Sequence, residues 1–204
     1  MLSGFHSRGY LPHIKVEGAA YFVTFRLADS LPRETVLRLK EQRADLLQRL
    51  RQETPDDRNR VRCQLFAWYS AEVDAVLDQH GGAAWLRRPE VAKITANALR
   101  HFAGARYSLH AWCIMPNHVH AVVRPHTRHS LESILHSWKS YTANEANKFL
   151  GRSGNSFWQT ESYDHWIRDD VDFTHGCRYT DENPVKAGLV DHAAEWSWSS
   201  AAER

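Results

Sequence analysis

The chain has 204 residues, 43% of them hydrophobic, with 26 Lys and Arg against 24 Asp and Glu for a formal net charge of +2. That length and apolar content suit a globular protein of one domain, or one domain carrying an insertion, with enough chain to bury a core. The charge is too small to establish a nucleic-acid partner by itself, although an isoelectric point near 8.5 leans that way. Cys63, Cys113 and Cys177 lie far apart with no Cys-x-x-Cys pair, which argues against a disulfide framework or a structural zinc and fits a reducing cytoplasm. The opening residues hold no apolar signal-like run, and no stretch approaches the roughly 18 apolar residues of a membrane span.

Residues 19–28 alternate Tyr21, Val23, Phe25 and Leu27 against Phe22, Thr24 and Arg26, the period of a first strand with a buried face. After Leu31-Pro32, the apolar spacing of Val36, Leu39, Leu46, Leu47 and Leu50 predicts an amphipathic helix. Thr54-Pro55-Asp56-Asp57 breaks it. A second helix is predicted from about 58 to 79 on Val61, Leu65, Val73, Val76 and Leu77, ended by Gly81-Gly82. Pro89 opens a third, with Val91, Ile94, Leu99 and Phe102, to about 103. No flexible linker sets these helices apart, so 33–104 reads as a helical insertion within one domain spanning 1–204.

A hairpin follows. Its strands are Tyr107 to Ile114 and the run from His118 to Val123, joined at Met115-Pro116-Asn117, where Pro116 pre-sets a turn and Asn117 tolerates the dihedrals after it. Side chains alternate along a strand, so His118 and His120 share one open face while Val119, Ala121 and Val123 face a core. Two imidazoles so placed make a metal-ligand pair, and ordinary surface chemistry accounts for the same spacing. A catalytic metal needs a third protein ligand from elsewhere.

Ser130 is placed to cap a helix on Leu131, Ile134, Leu135, Trp138 and Tyr141, running to about Leu150. From Arg124 to Arg152 there are five Lys or Arg against two Glu, with Trp138 and Tyr141 interleaved, a mixture that single-stranded nucleic acid uses and that a solvated helix face also shows. Beyond the turn at 151–156, Asp169, Asp170 and Asp172 suit a helix start. That helix carries Phe173, Cys177 and Tyr179 and is predicted to end near Asn183, because Pro184 disfavours helical geometry before it, with Gly188 just beyond. Trp196 and Trp198 of the tail are expected to pack on the body.

Two helical pairs offer a nucleophile beside a ligand at a spacing of four: Tyr179 with Asn183, and Tyr141 with Glu145. Spacing does not choose between them, and a buried structural tyrosine explains either.

The run AWCIMPNHVHAVV resembles the His-hydrophobe-His motif of the HUH endonuclease superfamily, and YTDENPVKAG resembles the Tyr-x-x-x-Asn-Pro segment of the REP-associated tyrosine transposases. YFVTFRL, FWQTESYDHWIRD and WSWSSA are also similar to that group, so the resemblance covers nearly the whole chain. It implies an α/β (α+β) fold, a ferredoxin-like or RRM-like antiparallel sheet with packed helices, the histidine strand central and the tyrosine helix across it. It implies that His118 and His120 bind a divalent metal, Mg²⁺ or Mn²⁺, and it selects Tyr179 as the nucleophile. Asn183 falls where related transposases place a polar ligand. The implied reaction is attack of Tyr179 on a phosphate of single-stranded hairpin DNA, giving a 5′-phosphotyrosine and a free 3′-hydroxyl. Arg124, Arg128, Lys139 and Arg168 are the candidate phosphate contacts, and both monomer and homodimer are open. Two rivals stand beside this transposase: a hairpin-binding protein without turnover, and a metallo-phosphodiesterase in which water attacks.

Overall fold

The computed structural model describes residues 5–8, 11–14, 18–52, 72–79 and 81–204. Most of the second predicted helix, 58–79, and Cys63 lie outside these. The chain divides into two compact units, residues 29–83 on the one hand and residues 1–28 with 84–204 on the other.

The larger unit is built on four strands: β3 (Ala20–Arg26), β4 (Tyr107–Ile114), β5 (His118–Pro125) and β6 (Tyr163–Ile167), preceded by a small antiparallel pair, β1 (Phe5–Arg8) and β2 (Leu11–Ile14). The four form an antiparallel sheet in the order β4-β5-β3-β6, so the histidine strand is internal and neighbours β3. The alternation read from the sequence holds on both central strands. Tyr21, Val23 and Phe25 of β3 and Val119, Ala121 and Val123 of β5 point into one core.

Two helices close that face. α3 (Pro89–His101) contributes Val91, Ala92, Ala96 and Leu99, and α4 (Leu131–Phe149) contributes Ile134, Leu135, Trp138 and Ala146. Full burial of a side chain such as Leu99 stabilises by roughly 1.5–3 kcal/mol. Ser130 accepts a hydrogen bond from the Ser133 amide and so caps α4 as its spacing predicts. With β3, α3, β4, β5, α4 and β6 in that order, the topology is the β-α-β-β-α-β ferredoxin-like arrangement that the resemblance implies.

The helical insertion expected over 33–104 overlaps a separate compact unit at residues 29–83. Residues 29–83 form the separate unit, with α1 (Arg33–Gln52) and a single turn α2 (Asp74–Leu77), whose own small core joins Leu31, Leu39, Val73 and Leu77. α3 belongs to the sheet unit instead, because its apolar stripe is what covers β3 and β5. Periodicity shows that a helix has an apolar face without showing which core receives it.

The second face of the sheet is covered by α5 (Asp170–Lys186), which crosses β4, β5 and β6. Asp169 accepts from the Asp172 amide at 2.8 Å and starts the helix. Helix α5 runs past Asn183 to Lys186, with Pro184 inside its last turn. The ring removes only one late N–H, and the carbonyls that follow are satisfied. Gly188 N–H reaches Val185 O at 3.0 Å and Leu189 N–H reaches Pro184 O at 2.9 Å, with Gly188 at φ +67°. That is a Schellman close, and its left-handed residue suits glycine. The tail packs on the body as expected, the Ile114 amide donating to Trp198 O at 2.8 Å and Trp196 Nε1 to Ile114 O at 3.0 Å along the edge strand β4.

Candidate active site

His118 and His120 occupy one face of β5, as their spacing predicts, but that face is not open: both residues have 0% of their surface exposed. The difference is α5, which the strand pattern alone does not reveal. Where the helix crosses the sheet it presents Gly176, whose added Cβ would stand 3.7 Å from Ile167 Cδ1 and Val122 Cγ2. The helix lies close to the histidine strand there, with room for no more than a methyl group.

The buried imidazoles are held by hydrogen bonds whose directions follow from chemistry. His118 Nδ1 lies 2.7 Å from Asn117 Oδ1. An amide oxygen only accepts, so His118 carries its proton on Nδ1 and turns the Nε2 lone pair inward. That Nε2 is 3.0 Å from His120 Nε2, which therefore donates. His120 Nδ1 is left to accept from the Thr24 hydroxyl at 2.8 Å, across the β3–β5 register that pairs the two residues. The three bonds run one way, Thr24 to His120 to His118 to Asn117, and polarise one another. Burial, with the charge of Lys186 adding to it, pushes the His120 pKa down to about 3, so its ring is neutral at physiological pH.

Tyr179 is brought to the pair by α5. Its ring meets that of His120 edge-on at 5.7 Å and 83°, and meets Phe22 at 5.6 Å and 84°, while Phe22 stacks on His120 at 5.4 Å. Lys186, two helical turns on, donates to the Tyr179 hydroxyl at 3.4 Å and lies 5.3 Å from the ring centre. Asn183, one turn from Tyr179 on the same helix, is 1% exposed, and among the described residues neither its Oδ1 nor its Nδ2 has a hydrogen-bond partner. The alternative pair is elsewhere. Tyr141 is 54% exposed on α4, the helix that packs on the opposite face of the sheet.

No group of three His, Cys, Asp or Glu side chains able to hold a metal occurs among the described residues. The donor set available is two neutral imidazoles and a buried, unsatisfied amide. Two adjacent ligands at ~2.1 Å around an octahedral cation stand roughly 3 Å apart, which is the spacing of the two Nε2 atoms. An unsatisfied buried amide is itself the kind of group that calls for an ion or ligand. Two imidazole nitrogens and an amide oxygen are donors that would suit a divalent cation.

The four basic candidates separate. Arg124 shares the histidine face of β5 and is exposed, and Arg128 is exposed in the following loop. Lys139 is engaged within the fold. Its ammonium donates to Gln159 O at 2.7 Å, Thr160 O at 2.8 Å and Ser162 Oγ at 3.2 Å, tying α4 to the segment before β6. Burial and the nearby Arg26, opposed by Glu161, push its pKa down to about 8. Arg168 pairs with Asp172 at 3.4 Å. That carboxylate also accepts from His165 Nε2 at 3.0 Å, which gives His165 a structural role between β6 and α5.

Residues 86–183 match the family described as "Transposase IS200 like". The stretch runs from the approach to α3 through both histidines to Tyr179 and Asn183. The resemblance to REP-associated tyrosine transposases is borne out with it. A REP-associated tyrosine transposase of Escherichia coli is 27% identical over 96 residues, covering 46% of this chain and 54% of that protein. A Haemophilus influenzae protein assigned to the same group is 28% identical over 102 residues, 44% of this chain and 56% of that one. The chain thus spans about half the length of the curated relatives it matches. A solved structure of a REP-associated tyrosine transposase bound to a REP hairpin superposes with a TM-score of 0.52 over 98% of this chain and 84% of that one, at 17% identity, which shows a shared fold.

The site contains three residues that sequence reasoning does not assign. Asn117 reads only as a turn residue. Thr24 becomes visible once the β3–β5 register is known, since it sits directly opposite His120. Lys186 is legible in principle, because positions 179, 183 and 186 share one helix face.

Proposed function

We propose that this protein is a metal-dependent, tyrosine-type nuclease and strand transferase acting on single-stranded hairpin DNA, a REP-associated type of HUH transposase. The observation that supports it best is the delivery of Tyr179, by a helix from the far end of the chain, against the ring of a buried histidine pair. A purely structural tyrosine does not need that company.

Tyr179 Oη attacks the scissile phosphorus in line, a new P–Oη bond forms and the 3′-oxygen leaves, taking up a proton as a 3′-hydroxyl. The phenol proton passes to solvent. His118, His120 and Asn183 would hold a divalent cation, Mg²⁺ or Mn²⁺, which when bound would polarise the phosphate and neutralise its developing charge. Lys186 supports the developing phenolate from 3.4 Å. Arg124, exposed on this face, and Arg128, exposed in the loop that follows, supply phosphate contacts. The phosphodiester energy is kept in the 5′-phosphotyrosine, so a second 3′-hydroxyl reverses the step and completes strand exchange. Among the described residues no helix is long and apolar enough to cross a membrane, and action on DNA accords with the cytoplasmic setting expected from the sequence.

The test is incubation with single-stranded hairpin DNA and Mn²⁺, followed by denaturing electrophoresis. A covalent protein–DNA adduct lost in Tyr179→Phe is the expected result. Cleavage persisting in Tyr179→Phe without an adduct assigns the attack to water, and tight binding with no cleavage in any metal assigns a binding protein.

A further inference from the structure

The hydrogen-bond chain through the histidines holds a proton in the place where the proposed cation would sit, and the residue that can release that arrangement lies on β3. We propose that Thr24 is a positioning residue whose hydroxyl, by reversing from donor to acceptor, lets His120 move its proton from Nε2 to Nδ1 and so admit a divalent cation. This inference rests on the metal reading of the site given above.

The two histidines differ in what they must do to become ligands. His118 already has its proton on Nδ1, fixed by the acceptor-only oxygen of Asn117 at 2.7 Å, and its Nε2 lone pair is ready. His120 is in the opposite state. Its Nε2 carries the proton that bridges the 3.0 Å gap to His118, and its Nδ1 accepts from Thr24 at 2.8 Å. For both Nε2 atoms to ligate, that proton must leave Nε2 and one must arrive on Nδ1, where it needs an acceptor.

Thr24 is 1% exposed and His120 is 0% exposed, so bulk water cannot stand in. A hydroxyl is the side-chain group that can donate in one state and accept in the other without moving its oxygen. The exchange leaves the protein's proton count unchanged: Nε2 gives one proton to solvent, Nδ1 takes one from solvent, and the imidazole is neutral before and after. A donor-only group opposite Nδ1 would lock His120 in the wrong tautomer, and an apolar group would orphan the new N–H in a dry site. Partners of this kind, behind a ligand, alter metal affinity by roughly 10–100-fold.

The experiment uses the full chain with Thr24→Val, which keeps the shape and β-propensity, and Thr24→Ser, which keeps the hydroxyl. Mn²⁺ affinity is measured by calorimetry, and histidine tautomers by ¹⁵N NMR with and without diamagnetic Mg²⁺. The wild type is expected to show His120 protonated on Nε2 without cation and on Nδ1 with it. Thr24→Val is expected to bind Mn²⁺ about 10–100-fold more weakly, and Thr24→Ser to bind about as the wild type does. Equal affinity of wild type and Thr24→Val overturns the role of Thr24 while leaving the metal site standing. A wild type already protonated on His120 Nδ1 without cation overturns it too, independently of how the variants fold. A wild type that binds neither cation removes the metal reading and this inference with it.

Discussion

The ring of Tyr179 stands edge-on to the imidazole of His120, 5.7 Å away at 83°, and Phe22 packs against both. Three elements from distant parts of the chain meet in that contact: β3 supplies Phe22, β5 the histidine and α5 the tyrosine. Substituting Tyr179 by Phe keeps the ring and removes only the hydroxyl, which meets the exposed Lys186 at 3.4 Å. The expected outcome is a change in stability below about 1 kcal/mol with complete loss of the covalent adduct. Tyr141→Phe, on the other face of the sheet, is expected to leave adduct yield unchanged. Denaturant melts and denaturing gels on both variants check this pair, and the reverse pattern of adduct loss overturns the choice of nucleophile.

Much of this arrangement is written in local pattern. Alternation on β3 and β5, the proline-asparagine turn, the Ser130 cap and the aspartates at the head of α5 each follow from a few neighbouring residues, and each is found in place. What the pattern cannot carry is the covering of surfaces. His118 and His120 read as an open pair because nothing in MPNHVHAVV tells that α5 returns over them, and α3 reads as part of an insertion because its partner face lies on strands far away in sequence. Thr24 and Lys186 escape a sequence reading for the same reason: their roles are defined across a register or along a helix face, not by their neighbours.

Lys186 donates toward the Tyr179 oxygen from the final turn of α5. A cation beside an attacking phenol favours the charge that develops there, but at 3.4 Å and in contact with solvent its effect falls below the roughly 10²–10³-fold typical of an enclosed donor. Lys186→Met is expected to slow adduct formation by about tenfold, with Lys186→Arg restoring part of the rate. Single-turnover kinetics with hairpin DNA read this directly, and an unchanged rate in Lys186→Met dismisses the residue from the reaction.

Gly176 lies where α5 crosses the sheet. A Cβ added there meets Ile167 Cδ1 and Val122 Cγ2 at 3.7 Å and Phe22 Cβ at 3.9 Å, which is ordinary contact, and no positive φ demands glycine. Gly176→Ala should therefore gain helix propensity, up to about 1 kcal/mol, with adduct formation intact. Gly176→Leu has no room without lifting the helix, and is expected to lower both stability and adduct yield. A destabilised Gly176→Ala would show that α5 sits closer to the sheet than these distances state.

Asp172 links β6 to α5 through His165 and Arg168. Burial opposes its charge, but the hydrogen bond and charge of His165, with the Arg168 amide and guanidinium, outweigh this and hold its pKa down to about 2 from 3.8. Between those values the unfolded state binds the proton that the folded state refuses, so stability rises with pH there. The contribution is fully present above about pH 4 and is lost as pH falls through about 2. A shift of nearly two units corresponds to about 2 kcal/mol. Asp172→Asn is expected to lower stability by about that much at neutral pH and to flatten this part of the acid unfolding profile. A parallel profile in the variant assigns the acid sensitivity to other groups.

Asn183 separates stability from function most cleanly. Its amide is buried, and neither polar atom has a partner among the described residues, an arrangement that costs about 1–3 kcal/mol in a dry interior. Leucine has the same branched skeleton, though bulkier methyl ends, and nothing to satisfy. Without divalent cation, Asn183→Leu is thus expected to be as stable as the wild type or more so by about 1 kcal/mol, while Mn²⁺ no longer raises its melting temperature. The wild type should gain thermal stability as Mn²⁺ is added, since a ligand that binds only the folded state shifts the equilibrium by mass action. Melting curves of both proteins across a Mn²⁺ series decide the matter: a variant that keeps the Mn²⁺-dependent rise excludes Asn183 as a ligand, and one that is less stable without cation shows that the amide is satisfied after all.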